Sequence, residues 1–167
     1  YYGATGIAAT SGGLGGSASV TNSGNITVSQ YNKYGYGAYG IVVSADGDAS
    51  IDNQAGASST VDSAGNANGA VALSFAGDAS VTNAGDITVT TDAFLSYGAN
   101  GIVAFAGNGS AYAGNSGNID VTSKYISSGI DVSGLEGATA SNSGRTIARM
   151  PTIVAINHDH SYVRPQL

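Results

Sequence analysis

Ala79-Ser80-Val81-Thr82-Asn83-Ala84-Gly85-Asp86-Ile87-Thr88-Val89 is the stretch that decides how this chain folds. Ala79, Val81 and Asn83 alternate with Ser80 and Thr82, and a period of two places the first three on one side of a strand. After Gly85 the alternation resumes with Ile87 and Val89. An apolar inner side opposite a hydroxylated outer side is the pattern of a half-buried strand.

The same register recurs along the chain. Asn22, Asn53, Asn83, Asn115 and Asn142 follow one another every 27 to 32 residues. Four places before each stands alanine: Ala18, Ala49, Ala79, Ala111 and Ala138. Two places before stand Val20, Ile51, Val81, Ala113 and Ala140. Two places after stand Gly24, Gly85, Gly117 and Gly144, with Gly56 displaced by one in the second copy.

A second short strand is expected after the glycine, as in Ile26-Thr27-Val28, Thr60-Val61 and Ile119-Asp120-Val121. A third is expected before the alanine, as in Gly40-Ile41-Val42-Val43 and Gly101-Ile102-Val103-Ala104. Strands this short make no core alone, so successive copies must stack. The expectation is an all-β chain, a right-handed parallel β-helix (β-solenoid) of about five coils of roughly 30 residues. The repeats cover residues 1–144.

Each Asn falls on the inward phase where the chain must turn. Its amide both donates and accepts, so stacked Asn side chains are expected to bond one another and the turn backbone. The adjacent glycine is expected to supply a positive φ. Small inward residues imply a narrow core without a large cavity.

Composition narrows the function. The 167 residues carry a net charge of −6, which argues against nucleic acid as a partner because phosphate binding needs clustered Lys and Arg. No apolar run reaches the length of about 18 residues that a membrane-spanning helix needs, so no membrane insertion is expected of this segment. The opening Tyr1-Tyr2-Gly3 is not a charged and apolar leader. Cysteine is absent, so neither a thiol nucleophile nor a disulfide enters.

Motifs with chemical potential lack their context. Gly35-Tyr36-Gly37-Ala38-Tyr39-Gly40 fits the dinucleotide fingerprint, yet it leads into a strand rather than a helix. Gly12-Gly13-Leu14-Gly15-Gly16-Ser17 lacks the Asp of a calcium-binding repeat. Gly47-Asp48 and Gly77-Asp78 place one carboxylate per turn, which suits turn formation better than a multi-oxygen ion site. His158-Asp159-His160 offers two imidazoles without a third ligand. With both histidines in the tail, no catalytic triad can be assembled. The expectation is no enzyme, no catalytic residue, no metal and no cofactor.

Connections between coils vary most: residues 30–39 read QYNKYGYGAY, 62–68 DSAGNAN, 92–100 DAFLSYGAN and 123–128 SKYISS. Loops on a solenoid are its usual binding surface. Tyr31, Tyr34, Tyr36 and Tyr39 form the candidate adhesive loop, because Tyr stacks on sugars and packs at protein interfaces at low entropic cost. The same rings would also serve simply to cover the solenoid edge.

Residues 40–53 (GIVVSADGDASIDN) and 79–87 (ASVTNAGDI) resemble passenger repeats of bacterial autotransporters. The resemblance spans roughly residues 3–144 and implies an internal stretch of a longer passenger, exported across the outer membrane and displayed on the bacterial surface or secreted. It implies a structural or adhesive role, with a host or neighbouring-cell surface protein or glycan, or a second copy, as partner. A β-helical carbohydrate-active enzyme is one alternative, though a single Glu, two Lys and scattered Asp are a poor catalytic inventory for residues 1–144. An ice-binding solenoid is another, with Thr88-Val89-Thr90 as its nearest match.

Residues 145–167 depart from the pattern. They hold both prolines, both histidines, the only Met and all three Arg. An end cap, a junction or an appended non-native segment would each read this way. The run Thr152-Ile153-Val154-Ala155-Ile156 suits one further strand.

Overall fold

The computed structural model describes residues 3–32, 37–92 and 98–149. All regular structure among them is strand. The first coil comprises β1 (Ala4–Ser11), β2 (Ala18–Asn22) and β3 (Asn25–Gln30). The second comprises β4 (Ala38–Ala45), β5 (Ala49–Asn53) and β6 (Ser58–Ser63). The third comprises β7 (Ala67–Ser74), β8 (Ala79–Asn83) and β9 (Asp86–Thr91). The fourth comprises β10 (Gly98–Ala106), β11 (Ser110–Asn115) and β12 (Asn118–Ser123). The fifth comprises β13 (Ile126–Gly134), β14 (Gly137–Asn142) and β15 (Arg145–Arg149).

Equivalent strands stack in parallel into three five-stranded sheets, one for each side of the coil. The chain is therefore a β-solenoid of five coils, as its repeat requires. The columns found by alignment are columns in space: Ala18 pairs with Ala49, Ala49 with Ala79, Ala79 with Ala111, and Ala111 with Ala138. Ile41 and Val43 from the first sheet, Ile51 and Val81 from the second, and Val61 and Val89 from the third meet in one core, all fully buried. Each side chain is small, and stability accumulates coil by coil from stacked backbone hydrogen bonds and modest apolar burial.

Strands of the first sheet begin earlier than the apolar runs suggest. In β4 the buried residues are Ala38 and Gly40, then Ile41, Val43 and Ala45, so the alternation changes phase at the glycine. Gly40 and Ile41, adjacent in sequence, are both buried. Gly6, Gly40, Gly69, Gly101 and Gly129 share this level, and a Cβ on Gly101 would overlap Ile119 and stand 3.3 Å from Val121 Cγ2. Glycine is required because the opposite sheet comes too close for any side chain.

The strands shorten all four expected connections: Gln30, Ala38 and Tyr39 of the first belong to β3 and β4. Asn68 and Asn100 belong to strands, as do Ser63, Ser123 and Ser127. What separates β6 from β7 is Ala64, Gly65 and Asn66, and what separates β12 from β13 is Lys124 and Tyr125.

The glycine beside the Asn corner corrects a second expectation. Gly24, Gly85, Gly117 and Gly144 do not adopt positive φ. For Gly85, Gly117 and Gly144 the reason is proximity to the preceding coil: a Cβ on Gly117 would sit 2.8 Å from the carbonyl carbon of Ala84, and one on Gly144 would sit 2.6 Å from that of Ser116, whereas one on Gly24 in the first coil would meet nothing within 4 Å. Gly56, in the longer turn of the second coil, does adopt φ 82°.

The stacking continues through β15, beyond the composition break after Gly144. Thr146 and Ala148 take the inward levels of Ile119 and Val121, and Ala148 packs against the core. Arg149 pairs with Asp120 on the outer face, a hydrogen bond and opposite charge that hold its pKa above the usual value. Thr152–Ile156 and His158-Asp159-His160 lie outside the described residues.

Candidate functional surface

Three corners join the three sheets, and the side chains at each corner are spoken for. At the first, Asn22 Nδ2 donates to Asn53 Oδ1 at 2.8 Å, Asn53 to Asn83 at 2.6 Å, Asn83 to Asn115 at 2.7 Å, and Asn115 to Asn142 at 2.8 Å. Asn83 and Asn115 also donate to the carbonyls of Gly85 and Gly117 in their own turns. The ladder is directional, each coil donating to the next, and it consumes the amides in holding the coils together.

The second corner was not anticipated. Gln30, Ser63, Thr91 and Ser123 stand level at the ends of the third-sheet strands and are buried. Ser63 Oγ donates to Gln30 Oε1 at 3.1 Å and accepts from the Gly65 amide at 3.0 Å. Thr91 Oγ1 donates to the Gly65 carbonyl. The signal was the alternation itself, carried one step past Val28, Val61, Val89 and Val121 to a polar residue that still points inward.

At the third corner the carboxylates sit in turns and accept from the backbone of a neighbouring coil. Asp48 Oδ1 accepts from the Asp78 amide at 3.0 Å, and Asp78 Oδ1 accepts from the Ser110 amide at 2.8 Å. Ser17 plays the same part for Asp48, at 3.1 Å. Asp46 reaches the glycine-rich turn, accepting from the Gly15 amide at 2.7 Å. Among the described residues, no group of three or more His, Cys, Asp or Glu stands ready to hold a metal.

Searches of protein-family models, curated proteins and solved structures return no match to this chain. Function must therefore be argued from the outer surface.

Of the four tyrosines proposed for the adhesive loop, Tyr31 and Tyr39 are described. Tyr31 follows β3 and is 79% exposed. Tyr39 is not in a loop; it is half-buried on the outer side of β4, level with Thr5 and Asn68. Tyr34 and Tyr36 lie outside the described residues. In the fingerprint-like segment Gly37 adopts φ 111° and the chain enters a strand, so no helix N-terminus faces a phosphate.

The three outer faces differ in character. The second and third sheets present hydroxyls, amides and carboxylates, such as Ser50, Asp52, Thr82, Thr60 and Thr88. The outer side of the first sheet instead carries Val42, the buried Val71 and Val103 in one level, followed by Asp131, and Leu73 beside Phe105 between Ser44 and Ser133 in the next. Phe105 is 42% exposed, and Phe75, just past β7, is 58% exposed. An apolar strip on one of three faces is the kind of surface that meets a partner.

Proposed function

We propose that this chain is a structural and adhesive segment of a bacterial autotransporter passenger, displayed on the cell surface or secreted across the outer membrane. Its role is attachment or self-association through a rod and its inter-coil loops, without catalysis or a cofactor. The partner is a host or neighbouring-cell surface protein or glycan, or another copy of the rod.

One observation carries this reading: the inward Ala and Asn columns repeat in every coil while outward positions beside them change. The Asn column holds Asn in all five coils, whereas the outward level two residues earlier than Asn115's neighbour Gly114 runs Ser19, Ser50, Ser80, Tyr112 and Thr139. A frame kept constant beneath a variable exterior suits a scaffold that presents contacts. The apolar strip at Val103, Phe105 and Phe75 supplies a surface for self-association.

Cell aggregation and surface binding by the full passenger test the proposal, with the wild type compared against a variant lacking residues 31–37. Loss of adhesion in the variant is expected. Unchanged adhesion would remove the tyrosine loop from the proposal, and a wild type that neither binds nor aggregates would remove the adhesive role. Ice binding draws on one observation, the outward column Thr27, Thr60 and Thr88. Asp120 ends that column in the fourth coil and Asp62 interrupts the neighbouring level, and thermal hysteresis above buffer is the result that would favour it.

A further inference from the structure

We infer that the outer face of the second sheet holds a binding site for one sugar unit of a neutral glycan, with the Tyr112 ring as its platform. The inference deepens the adhesive proposal and rests on it for its biological meaning, although the site itself stands on geometry.

Two departures from the repeat occur together in β11. In the level of Ser19, Ser50, Ser80 and Thr139, the fourth coil places Tyr112. In the level of Thr21, Asp52, Thr82 and Ser141, it places Gly114. The two act as a unit. A Cβ on Gly114 would overlap the Tyr112 hydroxyl and stand 3.0 Å from Cε1 and Cζ. The missing side chain lets the ring lie down along the strand instead of standing off the sheet, and the ring remains 39% exposed.

Around it lies a hollow of about 200 Å³, lined by Asp52, Thr82, Ser116, Ser141 and Ser143 as well as Tyr112. Asp52 Oδ1 accepts from Thr82 Oγ1 at 3.3 Å and Oδ2 accepts from Gln54 Nε2 at 3.5 Å, and a carboxylate oxygen can accept more than one such bond. The volume is below the roughly 300–1,000 Å³ of sites for drug-sized ligands, so it suits a single ring. A flat aromatic face accommodates the C–H side of a pyranose, while hydroxyls and a carboxylate exchange hydrogen bonds with its hydroxyls. No cation lines the hollow, so phosphates and acidic sugars have no counter-charge there.

Titration of the full chain with neutral monosaccharides and disaccharides, followed by ligand-observed NMR, tests the site. Binding of at least one sugar is expected. Tyr112→Ala should weaken it by about tenfold or more, as expected for removing a stacking platform. Gly114→Ala should do the same by pushing the ring off the sheet, while Leu135→Ala, at an exposed residue outside the hollow, leaves affinity within about twofold. Thermal unfolding of each variant separates loss of site from loss of fold; because both residues face outward, native-like melting is expected, and Gly114→Ala decides if Tyr112→Ala unfolds. Failure of every neutral sugar to bind, binding untouched by both substitutions, or binding of choline in place of sugars would overturn the site. Adhesion that survives without sugar binding would sink this site alone; sugar binding without any adhesion would sink the adhesive proposal instead.

Discussion

Asn53 Nδ2 donates to Asn83 Oδ1 at 2.6 Å from the neighbouring coil, in a place where Asn53 is wholly buried and Asn83 is 2% exposed. Each amide also receives or gives a bond on its other side, so a member inside the ladder cannot be removed without stranding two neighbours. A buried polar group left unpaired costs about 1–3 kcal/mol. Asn83→Ala should therefore destabilise the chain by about 2–4 kcal/mol in urea unfolding. Asn142 is exposed at the end of the ladder, and Asn142→Ala should cost about 1 kcal/mol or less. Equal losses at the two positions would contradict the ladder as a source of stability.

Gly117 and Gly24 occupy the same place in different coils, which makes them a matched pair. A Cβ on Gly117 meets the backbone of Ala84, whereas one on Gly24 meets nothing within 4 Å. Backbone cannot yield as a side chain does, so Gly117→Ala should lower stability by about 1–3 kcal/mol. Gly24→Ala should be close to neutral in the same thermal or chemical unfolding measurement. A neutral Gly117→Ala would show that the coils do not approach so closely.

Ser59 is a small residue at a level where other coils place Ile26, Ile87 and Ile119. It is fully buried, and its hydroxyl donates to the Gly69 carbonyl at 3.3 Å. Because the flanking coils accept isoleucine at this level, Ser59→Val should raise stability by about 1 kcal/mol through added apolar burial. A loss of stability would mean that the bond to Gly69 outweighs the packing.

Asp78 caps the Ser110 amide from an exposed turn, and Ser17 caps the Asp48 amide with a hydroxyl at the equivalent place. The task is hydrogen-bond acceptance, not charge. Asp78→Ala should cost about 1 kcal/mol, and Asp78→Ser should recover most of it. If Asp78→Ser is as damaging as Asp78→Ala, the negative charge itself matters there.

The frame of this protein was largely legible in its residues because it rests on period-two alternation and on identical side chains stacking directly over one another. Asn22 through Asn142 and the alanines before them carry both signals. What was not legible lay where a coil meets its neighbour in three dimensions. The crowding at Gly40 and the approach of Gly117 to Ala84 depend on distances between segments far apart in sequence, so these glycines were read as a matter of φ when they are a matter of clearance. The buried Ser63 and Ser123 looked like loop residues because hydroxyls ordinarily face water. Tyr112 escaped notice because its significance depends on Gly114 making room for it and on Asp52 and Ser141 lying in adjacent coils. Tyr31 and Tyr39 stood out in the sequence, yet one directly follows β3 and the other is on a strand.

The central claim is that five coils stack in the register described, and spin labels along one outward column test it most directly. The chain has no cysteine, so pairs introduced at Thr27 with Thr60, Thr27 with Thr88, and Thr27 with Asp120 would carry labels only where intended. These positions share a level in successive coils, and strands lie about 4.8 Å apart. Dipolar broadening in electron paramagnetic resonance should be strongest for Thr27 with Thr60, weaker for Thr27 with Thr88 and weakest for Thr27 with Asp120, in steps of about 4.8 Å per coil. Broadening that ignores this order, or Thr27 lying nearer to Asp120 than to Thr60, would contradict the stack.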